Sequence, residues 1–431
     1  MSPSRAIDHR FPPRLIPILG MTSIAMSIGC VQPDSDRPWS TRGQSINNNQ
    51  PAPTAPPASV ATQRTEASSS SEPVLLEIVA EDDQPSEPPA VAVVEEEVIP
   101  IPEPRQPTIL QGDTPEARAI SWLQEAIFND YSLVRAYAYE AMEHDPSLLQ
   151  EYGSNGLVDE NRGVRFVTTM AIGRTCLTTL APLIEPGLLD PSLSVKAASI
   201  YALRELGQPV DPSPLAAMAM GEDPEVRGNA YMVLGMLGNP SAIPVIDASL
   251  GQGMRLRNPM RIRITELQAA EALVMLGDEA DVEPLRAALF SPVEQGELTV
   301  LACDMLGRLQ DERARPMLMR LILADGNERR PPEIRVAAAN AILRLPPPYE
   351  NGLEKVILQY VDAENPLLRT QVASALANGP SPEASQALDR LLADQNPIVR
   401  TAAAGALLER AAASSESQPG TFQGTTATVP D

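Results

Sequence analysis

The stretch 226–238, Val-Arg-Gly-Asn-Ala-Tyr-Met-Val-Leu-Gly-Met-Leu-Gly, decides the fold of this chain because versions of it recur. Its apolar and small residues follow the spacing i, i+4, i+7, i+8 and i+11, which marks one face of an α-helix. Gly238-Asn239-Pro240 then ends that helix, and a second apolar stretch at 242–250 supplies a partner helix. Each unit is therefore predicted to be a helical hairpin.

Stretches of this kind begin at nine places, separated by steps of 30 to 39 residues. Their starting residues, the fifth of them degenerate, are Val134, Val164, Val195, Val226, Thr265, Leu298, Ile334, Leu368 and Val399. One hairpin has too little apolar surface to be stable alone, so successive hairpins stack on each other. The sequence predicts an all-α fold, an elongated α-solenoid of about nine stacked hairpins over residues 113–411.

The residues before two of these helices carry a family resemblance. Asp223-Pro224-Glu225-Val226-Arg227 and Asn396-Pro397-Ile398-Val399-Arg400 resemble HEAT repeats, and the period near 31 is similar to the HEAT-like repeats of phycobilisome lyases. The resemblance covers roughly residues 118–411 and implies a fold more than an activity. It also implies a structural ladder of basic and acidic residues that ties one repeat to the next, with a ligand site as the alternative. The ladder positions are Arg135, Arg165, Lys196, Arg227, Arg335, Arg369, Arg400, Asp190, Asp223 and Asp394.

The N-terminus has the pattern of a secretory signal. Arg5, Arg10 and Arg14 flank an apolar region of about fifteen residues, and such a helix, about 22 Å long, is short for a membrane span. Residues 27–30, Ser-Ile-Gly-Cys, resemble the lipobox of bacterial lipoproteins. The resemblance implies a signal peptide at 1–29, lipidation of Cys30, and export to the periplasmic or cell-surface side of a bacterial membrane. Ordinary cleavage nearby, or a Cys that merely ends an apolar anchor, are the alternatives.

The segment between this signal and the repeats has a composition that opposes folding. Residues 31–112 contain fourteen Pro and thirteen acidic residues against four Arg. Low hydrophobicity and charge of one sign prevent the burial that would offset chain entropy. We expect a long disordered linker over 30–112 and a disordered tail over 412–431. The alternative for the linker is that its short apolar runs at 74–79 and 91–94 add a strand to a partner.

Cys176 and Cys303 lie four repeats apart. Because neighbouring helices pack about 8 to 10 Å apart, the two Cα atoms are too distant for a disulfide, which needs them within about 7 Å. Both are predicted to be small buried thiols.

Residues suited to catalysis are scarce. The chain has two His, His9 in the signal and His144, which is predicted to be a helix-end residue. One His cannot supply a two-His metal site, and no Gly-x-Ser-x-Gly or Walker-type motif occurs. The recurrent Gly-x-Leu-Gly is interpreted as punctuation between repeats. The sequence therefore predicts no enzyme, no cofactor and no metal. The alternative is a ligand-binding or enzymatic HEAT-like domain, lyase-like, with unrecognised chemistry.

Seven of the fifteen aromatic residues lie in the first repeat and the start of the second: Trp122, Phe128, Tyr131, Tyr137, Tyr139, Tyr152 and Phe166. Terminal repeats need atypical caps, so these rings are predicted to be buried and to seal the first repeat. An exposed platform for a peptide or glycan is the alternative.

The net charge of −23, about −14 of it on residues 113–411, disfavours nucleic acid as a partner. The repeat period is interrupted at 251–263 and 325–332, and insertions in repeat proteins often mark the binding edge. A basic rim for an acidic partner or polyanion is predicted there, with solvated loops as the alternative: Arg255, Arg257, Arg261, Arg263, Arg329 and Arg330. The predicted function is a non-catalytic, membrane-anchored scaffold that binds protein partners at the cell envelope through its concave face or this rim.

Overall fold

The computed structural model describes residues 110–252, 258–349 and 352–416, and all of the described elements are helical. Many helices begin where an Asp, Asn or Ser side chain precedes Pro. Asp223, for example, accepts a hydrogen bond from the backbone N–H of Glu225 at 2.9 Å, and Asn365 accepts one from that of Leu367 at 3.0 Å. Such caps satisfy backbone donors that the first turn leaves free, while Pro at the first position lacks one of those donors.

Nine outer helices alternate with nine inner helices along the described chain. The outer helices are α1 (Pro115–Ala126), α3 (Pro146–Leu157), α5 (Ala181–Ile184), α7 (Pro214–Ala219), α9 (Ile243–Ser249), α11 (Val282–Ala288), α13 (Arg315–Leu323), α15 (Leu353–Leu358) and α17 (Pro382–Leu392). The inner helices are α2 (Ser132–Ala141), α4 (Arg162–Arg174), α6 (Leu193–Glu205), α8 (Pro224–Met236), α10 (Pro259–Met275), α12 (Gly296–Arg308), α14 (Pro332–Arg344), α16 (Pro366–Leu376) and α18 (Pro397–Glu416).

The all-α fold and the stacking of hairpins are confirmed. Each inner helix packs against the next inner helix and against the outer helices beside it. All nine starting residues lie on inner helices and are buried, from Val134 at 0% exposed to Val226 at 7%. The repeat pattern therefore identifies the helix of each hairpin that forms the core.

The stack of hairpins closes on itself, which corrects the expectation that the solenoid is elongated. Helix α18 packs against both α1 and α2, which makes the nine inner helices a ring. At this seam the indole Nε1–H of Trp122 donates to Thr401 Oγ1 at 3.0 Å, and the Arg400 guanidinium lies 3.9 Å from the centre of the same indole. Arg118 and Asp389 form an ion pair across the same junction. Trp122 and Tyr139 are each 1% exposed and are buried as predicted, and Trp122 is sealed by the last repeat. The prediction is wrong for Phe128, which is 66% exposed because it lies in the turn after α1.

Small residues on the inner helices allow the ring to be narrow. A Cβ at Gly173 would lie 2.8 Å from the Cα of Ala202 on the next inner helix. A Cβ at Gly235 or at Gly307 would likewise lie 3.0 Å from the Cα of Ala272 or Ala341, respectively. The first glycine of Gly-x-Leu-Gly is therefore a contact between neighbouring helices. In the clearest repeat the second glycine, Gly238, ends the helix and has a φ of +63°.

Other predictions differ from the structure or lie outside it. Helix α18 continues to Glu416, five residues into the predicted tail. Cys303 is buried as predicted, but Cys176 is exposed, since it lies in the turn after α4 with φ of 54°. The signal peptide, Cys30, most of the linker and residues 417–431 lie outside the described residues. None of the helices that the structure describes is long and apolar enough to cross a membrane.

Candidate functional site

Three of the recurrent basic residues form ion pairs between neighbouring hairpins. Arg135 binds Asp159 through two bonds of 2.8 Å, and Arg165 and Arg369 bind Asp190 and Asp394 in the same way at 2.7 to 3.0 Å. Each acid follows its Arg by 24 or 25 residues, which places it in the turn before the next inner helix. The hydrogen bond to Asp159 raises the pKa of Arg135. These largely buried, bidentate ion pairs connect consecutive repeats.

The remaining ladder positions hold their neighbours by other contacts. Arg227 is fully buried and donates to the backbone carbonyls of Met220, Gly221, Ser249 and Gln252. Arg335 donates to the Tyr360 hydroxyl at 2.7 Å, and Arg400 stacks on Trp122.

Two predicted ladder members differ from the ion-pair pattern as well. Asp223 caps α8 through backbone N–H groups, and Lys196 lies close enough to Asp190 to lower its pKa alongside Arg165. For Arg227 and Arg335, the spacing in the sequence could have identified the contact. Residues 252 and 360, each 25 after an Arg, supply the contact where no acid is present.

The predicted basic rim is only partly brought together. Arg255 and Arg257 lie outside the described residues. Arg261 and Arg263 lie on the first turns of α10, which corrects the expectation that they belong to a loop. Arg261 is half-buried between Glu225 and Glu297, whereas Arg263 is exposed and 3.9 Å from Glu266. Arg329 and Arg330 lie in the turn before α14, the first exposed and the second half-buried.

A feature that the repeat pattern did not predict is a circle of exposed apolar side chains on the same edge. At seven of the nine junctions from an outer to an inner helix, a large apolar residue is exposed in the turn or, at Leu323, at the last position of the outer helix. These seven residues, here called the apolar rim, are Phe128, Val158, Leu189, Met220, Leu250, Phe290 and Leu323. Of the twelve exposed large apolar side chains in the described residues, ten lie in or beside these turns. Such concentration is typical of an interaction surface.

The interior of the ring is charged toward the C-terminal ends of the inner helices. Arg308 bonds to Glu271 at 2.7 Å and also to Asp304, and Arg344 bonds to Asp304 at 2.7 Å. Arg174 bonds to Glu143 through two guanidinium nitrogens. Together with the nearby carboxylates of Glu140 and Glu409, these residues form the interior cluster: Glu140, Glu143, Arg174, Glu271, Asp304, Arg308, Arg344 and Glu409.

Groups suited to catalysis or metal binding are few in the described part of the chain. His144 ends the short 3-10 turn after α2, where burial and the nearby Arg174 lower its pKa to about 4. Burial raises the pKa of the Cys303 thiol, which disfavours the reactive thiolate. The described residues hold no group of three or more His, Cys, Asp or Glu placed to bind a metal.

Comparison with known families supports a HEAT-repeat protein. Residues 327–408, from α14 to α18, match the family model of HEAT repeats. No curated protein matches the chain. HEAT repeats build helical scaffolds, commonly mediate protein–protein interaction and are generally non-catalytic.

Proposed function

We propose that this protein is a non-catalytic, membrane-anchored scaffold that binds a protein partner at the cell envelope through the apolar rim and its flanking arginines. The observation that carries the proposal is the apolar rim itself, because hairpin stacking does not require those seven side chains to be exposed. Closure of the ring also favours this edge as the binding surface over an open concave face, because α18 packs against α1 and α2 where such a groove would open.

The chemistry of the rim specifies the partner. Val158 and Leu189 are 80% and 85% exposed on consecutive hairpins, so a partner that covers them needs an apolar patch. Arg263 and Arg329 add exposed positive charge to the same edge. A partner with acidic residues around its apolar patch complements both features, and opposite charge would speed association.

The test is capture of partners from an envelope extract, followed by affinity measurement with the purified partner. Phe128, Val158 and Leu189 would be replaced together by Ser. Interface residues that matter cost more than about 1 kcal/mol each when truncated, so binding should weaken about 100-fold or more. Leu183→Ser is the matched control, because Leu183 is 49% exposed but lies on α5, away from the rim. Equal affinity of the triple variant and this control would refute the rim as the binding surface.

A second arm tests the arginines. Arg329→Glu combined with Arg330→Glu should slow association and reduce its dependence on salt, because exposed rim charges act mainly on the association rate. An unchanged association rate at low salt would remove the arginines from the proposal while leaving the apolar rim in place.

The membrane anchor is proposed from the resemblance of residues 27–30 to a lipobox. Lipidated protein should partition into the detergent phase of Triton X-114 and incorporate a labelled fatty acid, and Cys30→Ser should abolish both. Cys176→Ser is the control, since Cys176 is an exposed thiol in the folded repeats. Labelling that persists in Cys30→Ser would rule out the anchor.

A further inference from the structure

The interior cluster is not part of the repeat ladder. The residue six positions after each starting residue lies on the interior side of its helix, and its chemistry changes from one hairpin to the next. In order, these residues are Glu140, Met170, Tyr201, Met232, Glu271, Asp304, Asn340, Ser374 and Gly405. Stacking alone would select similar residues at equivalent positions, as it does at the nine buried starting residues. Two ion pairs of the cluster, Arg308 with Glu271 and Arg344 with Asp304, join neighbouring inner helices, but Glu140 takes part in no such pair.

Glu140 is the residue in this cluster that the protein leaves unsatisfied. It is 1% exposed, and neither carboxylate oxygen has a hydrogen-bond partner among the described residues. A buried carboxylate without partners is costly, and such groups in native proteins call for an explanation. Burial raises the pKa of Glu140 well above its ordinary value, and the nearby Glu143 raises it further.

The surroundings of Glu140 come from several sides of the ring. It interacts electrostatically with Arg174 on α4, Asp304 on α12 and Glu409 on α18, besides Glu143 beyond its own helix. Asp304 belongs to the inner helix on the far side of the ring, so the Glu140 carboxylate faces the centre. Arg174 Nη1 likewise has no hydrogen-bond partner among the described residues, although its other nitrogens bind Glu143.

The balance of charge at this end of the ring is negative. The interior cluster contains five carboxylates and three guanidinium groups. The inner helices run in the same direction, so their C-terminal ends, each with partial negative charge, lie at this end. The centre is therefore suited to a small cation.

We propose that the centre of the ring binds a small organic cation, an alkylammonium group, with Glu140 as its counter-ion. One carboxylate supplies at most two of the six to eight oxygens that Ca²⁺ takes, and three neighbouring guanidinium groups repel a divalent ion. A monovalent group with N–H donors instead satisfies both oxygens of Glu140. The cation is a free amine or the side chain of a lysine on a peptide, and both present the same ammonium group.

The test uses the full chain with ethylammonium as the free cation and acetyl-Gly-Lys-Gly-amide as the peptide form, at constant ionic strength. Binding is measured by calorimetry and by the rise in melting temperature. Glu140→Gln should bind at least tenfold more weakly than the native protein. Glu294→Gln, at an exposed carboxylate outside the ring centre, should bind as the native protein does. Binding of ethylammonium alone identifies a free amine as the ligand, and binding of the peptide as well identifies a lysine side chain.

Glu140→Gln replaces a buried carboxyl group that has no hydrogen-bond partner by a neutral amide of similar shape, so the variant should fold about as stably as the native protein without ligand. Loss of binding in a folded Glu140→Gln protein therefore cannot come from unfolding. Because the cation needs the ionised carboxylate, its binding should release a proton, and its affinity should rise up to about tenfold per pH unit below the pKa of Glu140. Absence of binding to the native protein between pH 6 and 9, or equal binding by Glu140→Gln, would overturn the proposal.

Discussion

Replacement of Trp122 by Ala should destabilise the protein more than any other single aromatic truncation at the start of the repeats. A buried indole removes about 200 Å² from water, which corresponds to about 5 kcal/mol at about 25 cal/mol per Å². The indole also donates a hydrogen bond to Thr401 and supports the Arg400 guanidinium, contacts worth about 1 kcal/mol each. Burial in a compact unfolded chain reduces the total, so we expect a loss of about 4 to 5 kcal/mol.

The assay is urea unfolding followed by circular dichroism. Trp122→Phe keeps most of the apolar contact but removes the indole N–H, so it should cost about 1 to 2 kcal/mol and serves where the Ala variant does not fold. Phe128→Ala is the matched control, because Phe128 is 66% exposed in the turn that follows the same helix. It should change the free energy of unfolding by less than about 0.5 kcal/mol. If Trp122→Ala and Phe128→Ala destabilise equally, the seam between the first and last repeats does not hold the ring.

Three further perturbations address the stacking and the buried charges. Gly173→Ala should lower the free energy of unfolding in urea by about 1 to 3 kcal/mol, because its Cβ would meet the α6 backbone. Gly296→Ala, whose Cβ would have an ordinary contact at 3.4 Å, should be neutral or slightly stabilising. The reverse order would refute the close approach of the helices. Arg369→Ala should cost about 2 to 4 kcal/mol of stability, because it leaves the half-buried Asp394 without its partner. Arg390→Ala, which breaks an exposed pair with Asp362, should cost at most about 1 kcal/mol. Similar losses in the two variants would contradict the ladder. His144 has a pKa of about 4 in the folded protein against 6.5 unfolded, so the unfolded chain binds the proton first and stability should fall by about 2 to 3 kcal/mol as the pH drops from 6.5 to 4. His144→Gln should flatten that part of the profile of urea midpoint against pH, and an unchanged slope would show that His144 is not buried as described.

The sequence predicted the hairpins well because their signal is local. A helical face, an Asx-Pro cap and a terminal glycine all lie within one unit, and each of the nine starting residues is buried on an inner helix. Ring closure was missed because it depends on the small rotation between successive hairpins, summed over nine of them, and no single unit contains that sum. The position of Trp122 was consistent with ring closure, but a buried aromatic residue in the first repeat has the same sequence pattern whether it packs under a cap or against a distant helix.

The functional surfaces were predicted less completely, for two physical reasons. Arg261 has the same sequence signature as Arg263, but the turn of α10 on which it lies faces Glu225 and Glu297, so proximity in sequence did not mean a shared surface. The apolar rim recurs at about the repeat period and could have been found from spacing, yet its residues look like ordinary core residues until exposure is known. Glu140 has no motif at all, since its significance comes from side chains on α4, α12 and α18.

Closure of the ring is tested most directly by the distance between Arg118 on α1 and Asp389 on α17. Spin labels at these two positions, introduced as Cys in a background with Cys30 and Cys176 replaced by Ser, would be measured by electron paramagnetic resonance. Replacement of Arg118 and Asp389 should lower the free energy of unfolding only slightly, because their ion pair is partly exposed. The closed ring predicts labels within about 20 Å of each other. An open stack of nine hairpins, each about 8 to 10 Å from the next, would place them roughly 70 Å apart, and that result would contradict the ring.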